Sequence, residues 1–229
     1  MLDAGCGPAP MISLLSEKYP DRHYTGLDLT PAMIEQAKKK DIPNATFVVG
    51  DCENFPFENE SFDAIICSMS FHHYPNPQAF FDSVKRCLRP NGRLILRDVT
   101  SDNKVLVWLM NTLEMPLANI CGHGDVRVPT RDVVMKCCRR AGLKVEKFEI
   151  RKGMRMHCVV RRRQIMKEKV NVTGVPETMV QTLYARAKET KKQNAKIKDE
   201  IAVKLVEKLD YDFSKADKDN AMTYGVIAR

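Results

Sequence analysis

Short apolar runs and amphipathic stretches alternate along the first two-thirds of the chain. Runs at 1–4, 23–27, 46–49, 62–68 and 93–99 are too short for helices and are bounded by Gly, Pro, Asn or Asp, so they predict strands. Between them, 10–19, 31–40, 77–88 and 130–141 carry apolar residues at helical spacing. Pro10 and Pro31 suit a first helical turn, Thr30 an N-cap, and Gly142 a helix end. Arg89-Pro90-Asn91-Gly92 reads as a turn, 105–117 as an apolar helix, and 143–150 with 154–160 as a hairpin across Lys152-Gly153. Strand–helix alternation predicts an α/β fold, a parallel sheet wound with helices on both faces. The hairpin adds one antiparallel strand.

The alternation stops near residue 163. Beyond it, 176–192 places Val180, Leu183, Tyr184 and Ala187 on one helical stripe, and 197–209 aligns Ile201, Leu205 and Leu209. A loop at 210–219 follows. The expected organisation is a domain at 1–163, a basic linker at 164–171 and a helical extension at 172–229.

The 229 residues are 44% hydrophobic and 29% charged, which is ordinary globular composition. No apolar run is long enough to cross a bilayer, and no signal-peptide pattern opens the sequence. The net charge of +8 is local: it gathers in a band at 151–170 around Arg161-Arg162-Arg163. That band reads as a solvated strand end and linker or, more sharply, as a phosphate-binding patch. The eight Cys include no Cys-x-x-Cys pair, and several sit in apolar runs such as Ala64-Ile65-Ile66-Cys67. They behave as free cysteines of a reducing compartment, so a cytoplasmic location is expected. No metal site is expected. Zinc spacing is missing, and adjacent His72 and His73 should point apart.

Ligands of parallel sheets sit beyond the carboxyl ends of the strands. The residues there are Asp3-Ala4-Gly5-Cys6-Gly7, Asp28, Gly50-Asp51-Cys52 and Ser68-Met69-Ser70-Phe71-His72-His73-Tyr74. Two glycines permit a tight turn and a close ligand approach. Pro10 stands where a dinucleotide fingerprint wants its third glycine. Three acids, Asp3, Asp28 and Asp51, would repel a pyrophosphate. They suit a ligand carrying an ammonium, a sulfonium, a ribose and an adenine, which is S-adenosyl-L-methionine.

On these motifs the sequence over 1–163 resembles the class I S-adenosylmethionine-dependent methyltransferases, in particular the small-molecule group with the ubiquinone and menaquinone enzymes. Leu2-Asp3-Ala4-Gly5-Cys6-Gly7 is similar to the family's first motif, and Gly26-Leu27-Asp28-Leu29-Thr30-Pro31-Ala32-Met33 to its second. Gly50-Asp51-Cys52-Glu53 with Ser61-Phe62-Asp63, and Leu88-Arg89-Pro90-Asn91-Gly92, match the later ones. The resemblance implies a Rossmann-like, doubly wound, mostly parallel seven-stranded sheet with one antiparallel strand, plus the C-terminal helical extension.

It also implies roles. Gly5, Cys6 and Gly7 would bracket the methionyl part, and Asp3 would reach its amino group. Asp28 would hold the ribose hydroxyls, with Leu29 and Met33 toward the adenine. Asp51 would accept from the adenine amine beside Cys52, and Ser68 would line the methyl end. Two departures stand out: Ala9 replaces a first-motif glycine, and the sequence starts without the family's preceding helical segment. Residues 172–229 resemble the amino-terminal helices of the leucine carboxyl methyltransferase family, which includes polyketide O-methyltransferases. The extension would then be the start of a second methyltransferase domain.

The expected reaction is in-line transfer of a methyl group to an O-, C- or N-nucleophile of a small molecule. His73 and His72 are the candidate catalytic residues, His73 preferred, with Asp98 a further candidate base; His123, in Gly122-His123-Gly124, reads as a surface loop that could fold over the site. One alternative is an RNA methyltransferase using the band at 151–170. The absence of an RNA-binding module and of interleaved aromatics argues against a nucleic-acid partner. A further alternative is a truncated, catalytically incompetent chain. Acceptor identity and oligomeric state stay open.

Overall fold

A computed structural model describes residues 1–120, 124–151, 154–162, 168–169, 175–192 and 194–214. In chain order its first unit contains β1 (Leu2–Ala4), α1 (Pro10–Lys18), β2 (Tyr24–Asp28), α2 (Pro31–Lys38), β3 (Ala45–Val49) and β4 (Phe62–Ser68). A 3₁₀ turn, Phe71–His73, leads to α3 (Pro77–Cys87) and β5 (Leu88–Val99). Then come α4 (Lys104–Leu109), a π-helical segment Met110–Glu114, α5 (Met115–Ile120), α6 (Arg131–Arg140), β6 (Leu143–Arg151) and β7 (Arg155–Arg162).

The sheet has seven strands in the order β3-β2-β1-β4-β5-β7-β6. The first five are parallel, in registers such as Leu2↔Thr25, Leu2↔Ile65 and Ile65↔Leu94. β7 runs antiparallel to both β5 and β6 and lies between them. The hairpin's antiparallel strand is therefore internal, and β6 forms the edge.

Burial follows this arrangement. β1 is central and all three of its residues are buried, as a parallel strand covered on both faces must be. Leu27 packs in one core cluster with Phe80, Phe81, Val84 and Val134. Tyr24, of opposite parity on the same strand, packs in another with Ile12, Ile34 and Ala37. Alternation along β2 thus puts α1 and α2 on one face and α3 and α6 on the other. Strand order reverses between β1 and β4, which opens a crevice at their carboxyl ends.

Local signals explain most boundaries. Asn76 caps α3 by accepting from the Ala79 amide at 3.2 Å, and Thr130 caps α6 by accepting from Val133 at 3.3 Å. Gly142 takes φ +70° just after α6. The expected turn at 89–92 instead lies within β5, as an irregularity between the pairings Phe62↔Leu88 and Ala64↔Arg93. The expected helix at 105–117 is part of a longer helical run, interrupted by the π-helical segment.

The chain divides into two compact units, Met1–Arg163 and Gln164–Arg229. In the second, α7 (Val175–Thr190) precedes α8 (Glu200–Val206). α8 is shorter than the periodicity predicts, because Asp199 caps it by accepting from Ala202 at 2.9 Å. β9 (Leu209–Asp210) pairs in parallel with β8 (Glu168–Lys169), so Leu209 is a strand residue rather than a helical one. The Tyr184 and Phe213 rings stack at 4.3 Å.

Candidate active site

The turn after β1 is built from backbone first. The amides of Gly5 and Cys6 both donate to the Leu27 carbonyl, at 2.8 and 3.0 Å, folding the turn over β2. Gly5 has φ +72°, and a Cβ there would lie 1.8 Å from Ser70 Oγ. Gly7 has φ +52° with open space where a side chain would be. Both glycines are thus required by conformation, and Gly5 also by close approach. Ala9 takes the left-handed conformation that the missing glycine would favour, at φ 58°.

Asp28 closes this turn from the end of β2. Its Oδ2 accepts from the Gly7 amide at 2.8 Å and its Oδ1 from the Thr30 amide at 2.9 Å. A carboxylate has about four acceptor positions, so two remain for a ligand. Asp3 is different. It is buried, and its Oδ2 has no hydrogen-bond partner. Burial, reinforced by the Asp28 charge, pushes its carboxyl up to about 7.

Asp51 is exposed and accepts from the Glu53 amide at 2.7 Å, while Cys52 beside it is buried. Burial pushes the Cys52 thiol up to about 12 and the Cys6 thiol up further. Leu29 and Met33 are not core residues: Leu29 is 68% exposed and Met33 36%. Ser68 ends β4 half-buried. The sequence placed Ser70 and Tyr74 at this strand end but gave them no role. Their hydroxyls lie 2.8 Å apart, and Tyr74 Oη also donates to the Ala4 carbonyl at 3.4 Å, bracing the glycine turn from behind.

The two histidines behave unlike the expectation. In the 3₁₀ turn their rings lie 4.1 Å apart at 44°, and both face Asp125: His72 Nε2 at 3.4 Å and His73 Nδ1 at 3.2 Å from its Oδ1. The reasoning that neighbours must diverge holds for a strand or a regular helix, and this turn is neither. His72, not His73, is the oriented one. Its Nδ1 lies 2.7 Å from Oδ1 of the buried Asp98, and its amide donates to Asp98 Oδ2 at 3.1 Å. Burial pulls the His72 pKa down, but the Asp98 hydrogen bond and the Asp98 and Asp125 charges outweigh it and raise it overall. His73 is more open and lies 3.2 Å from the Gly124 carbonyl. His123 lies outside the described residues. Asp125 escaped the sequence reading, because only the fold brings it across 52 residues to His73.

Val105, Trp108, Leu113 and Leu117 are exposed on the helical run after β5. Asn111 Oδ1 there accepts from the Val128 amide, at 2.7 Å. Three described arginines of the basic band are ion-paired: Arg151 with Glu149, Arg161 with Glu146 and Arg162 with Glu60. The seven described cysteines are free and buried, and no described helix is long and apolar enough to cross a membrane.

Residues 2–96 match the family profile described as a methyltransferase domain. That stretch holds the glycine turn, Asp28, Asp51 and both histidines. Over these residues the chain is similar to methyltransferase domains. The chain is 42% identical over 109 residues to the phthiotriol/phenolphthiotriol dimycocerosates methyltransferase of Mycobacterium leprae, covering 47% of this chain and 40% of that protein. It is 32% identical over 118 residues to the fatty-acid O-methyltransferase of Mycolicibacterium smegmatis, covering 51% and 43%. The chain therefore spans less than half the length of these relatives in the matched stretches. The S-adenosylmethionine-dependent methyltransferase of Mesorhizobium loti superposes with a TM-score of 0.59 at 17% identity, covering 70% of this chain and 89% of that one. The first unit thus shares the Rossmann-like fold of that structure, with its glycine turn at the switch point of the sheet.

Proposed function

We propose that this chain transfers a methyl group from S-adenosyl-L-methionine to an oxygen of a lipid-type small molecule. One observation carries the cofactor reading: Asp3 Oδ2 is buried without a partner at the foot of the glycine turn, where Gly7 has open space beside it. An unpaired buried carboxylate costs stability unless a donor or cation meets it. The amino group of S-adenosylmethionine supplies one, directly or through water. Asp28 keeps two acceptor positions for a ribose diol, and exposed Leu29 and Met33 offer apolar contact to an adenine. Asp51 would accept from the adenine amine beside Cys52, and Ser68 would line the methyl end.

Bound there, S-adenosylmethionine supplies an electrophilic methyl group on a sulfonium. The chain's own residues hold the reactants in line and exclude water. His72 and His73 meet the acceptor at the ends of β4 and β5, with Asp98 fixing the His72 ring. Two features support an apolar acceptor: the exposed side chains of the run after β5, and the lipid substrates in the names of the two mycobacterial relatives. The extension beyond residue 171 is read as the start of a second methyltransferase domain.

Calorimetric titration with S-adenosylhomocysteine tests the cofactor site, and transfer of labelled methyl to long-chain acids and alcohols tests the acceptor. Saturable binding with label in the lipid fraction is expected. A folded chain that binds no cofactor would favour the incompetent fragment, and label in RNA instead of lipid would favour the basic band.

A further inference from the structure

We propose that His72, His73 and Asp125 form a binding site for a divalent transition-metal ion of the zinc type. The three side chains offer two imidazole nitrogens and one carboxylate oxygen, all within 4.8 Å of one another. Zinc bonds to such atoms are about 2.0–2.1 Å long, so neighbouring ligands of a tetrahedral ion stand about 3.3 Å apart. His72 Nε2 and His73 Nδ1 lie 3.4 and 3.2 Å from Asp125 Oδ1. Both separations are already those of tetrahedral edges. The third edge closes by rotation of His73, whose side chain is 39% exposed; its Nδ1 would give up the Gly124 carbonyl for the ion.

The support behind the ligands is the second, independent observation. A metal-bound histidine normally donates its other ring nitrogen to a carboxylate, which fixes the tautomer and aims the ligating nitrogen. Asp98 does this for His72, from a fully buried position at 2.7 Å, and also accepts from the His72 and Val99 amides. The Nε2 lone pair of neutral His72 is thereby directed at Asp125. Asp125 is held in place too. The amides of Val126 and Arg127 both donate to the His72 carbonyl, at 3.0 and 3.1 Å, tying the two ligand segments together. Three protein ligands leave a fourth position open, as in zinc sites that take a substrate. That position would receive an oxygen of the acceptor, a use that rests on the methyl-transfer reading; the binding of the ion does not.

The test is titration of chelator-treated full chain with Co²⁺ and Zn²⁺, without any cofactor, read by the visible absorption of tetrahedral Co²⁺ and by calorimetry. One ion per chain is expected, with the Co²⁺ spectrum bleached by Zn²⁺. His73→Ala changes an open side chain and Asp125→Asn keeps the shape of a half-buried one, so both should fold, yet lose the spectrum. Asp98 is a positioning residue: Asp98→Asn should weaken binding by about 10- to 100-fold and keep the stoichiometry. No saturable binding, or binding of equal affinity in His73→Ala and Asp125→Asn, overturns the proposal. S-adenosylhomocysteine binding by the same chelator-treated chain is measured separately, so a failure of the metal site and a failure of the methyltransferase reading are distinguishable.

Discussion

The Asp28 carboxylate reaches back 21 residues to the Gly7 amide, Oδ2 to N at 2.8 Å. One side chain therefore shapes the glycine turn and, on the proposed cofactor reading, would also present acceptors to a ribose. Asp28→Ala should weaken S-adenosylhomocysteine binding by roughly 10- to 100-fold, the equivalent of about 1–3 kcal/mol for a lost charged hydrogen-bond acceptor. Asp28→Asn should fall between the two. Calorimetry decides, and an unchanged Asp28→Ala affinity would remove Asp28 from the site.

The raised Asp3 carboxyl makes a signed prediction. Its folded pKa, about 7, lies above the ordinary value of an unfolded aspartate, so the folded state holds the extra proton between them. Stability from this group is present at low pH and is lost as pH climbs toward 7. Asp3→Asn should therefore stabilise the chain at pH 8, by up to about 4 kcal/mol, while weakening cofactor binding. In the wild type, a cationic ligand favours ionised Asp3. Affinity should rise with pH up to about 7, with proton release visible in buffers of different ionisation enthalpy.

Gly5→Ala should destabilise the domain on two counts. The left-handed φ costs an alanine about 1–2 kcal/mol, and its Cβ would meet Ser70 Oγ. Placing it in a Ser70→Gly background should recover the steric part and leave the conformational one. Thermal unfolding of the four proteins in a double-mutant cycle measures this coupling, and strict additivity would contradict the contact.

Trp108 is 63% exposed on α4. If the run after β5 receives an apolar acceptor, Trp108→Ser should raise KM for a long-chain acceptor and leave S-adenosylhomocysteine affinity alone. Stability should move by no more than about 0.5 kcal/mol, as for an ordinary surface change. Equal kinetics on short and long acceptors would place the acceptor elsewhere.

By itself, the sequence determined the layers of this protein and which residues lie at the glycine-turn end of its candidate site. Strand and helix periods are local, and Gly5, Gly7, Asp28 and Asp51 sit at strand ends that can be counted along the chain. Only the tertiary structure decided the position of β7 inside the sheet, since strand order depends on pairing between distant segments. It also decided that Asp3 is unpartnered and its carboxyl raised, because burial is a property of the assembled sheet. The acceptor end was the least legible. Asp98, Asp125 and the two histidines come from three separate segments, and His72 differs from His73 only in what the fold sets beside it. Residue type fixed the chemistry each group could offer, but the distances that let them act together exist only after packing.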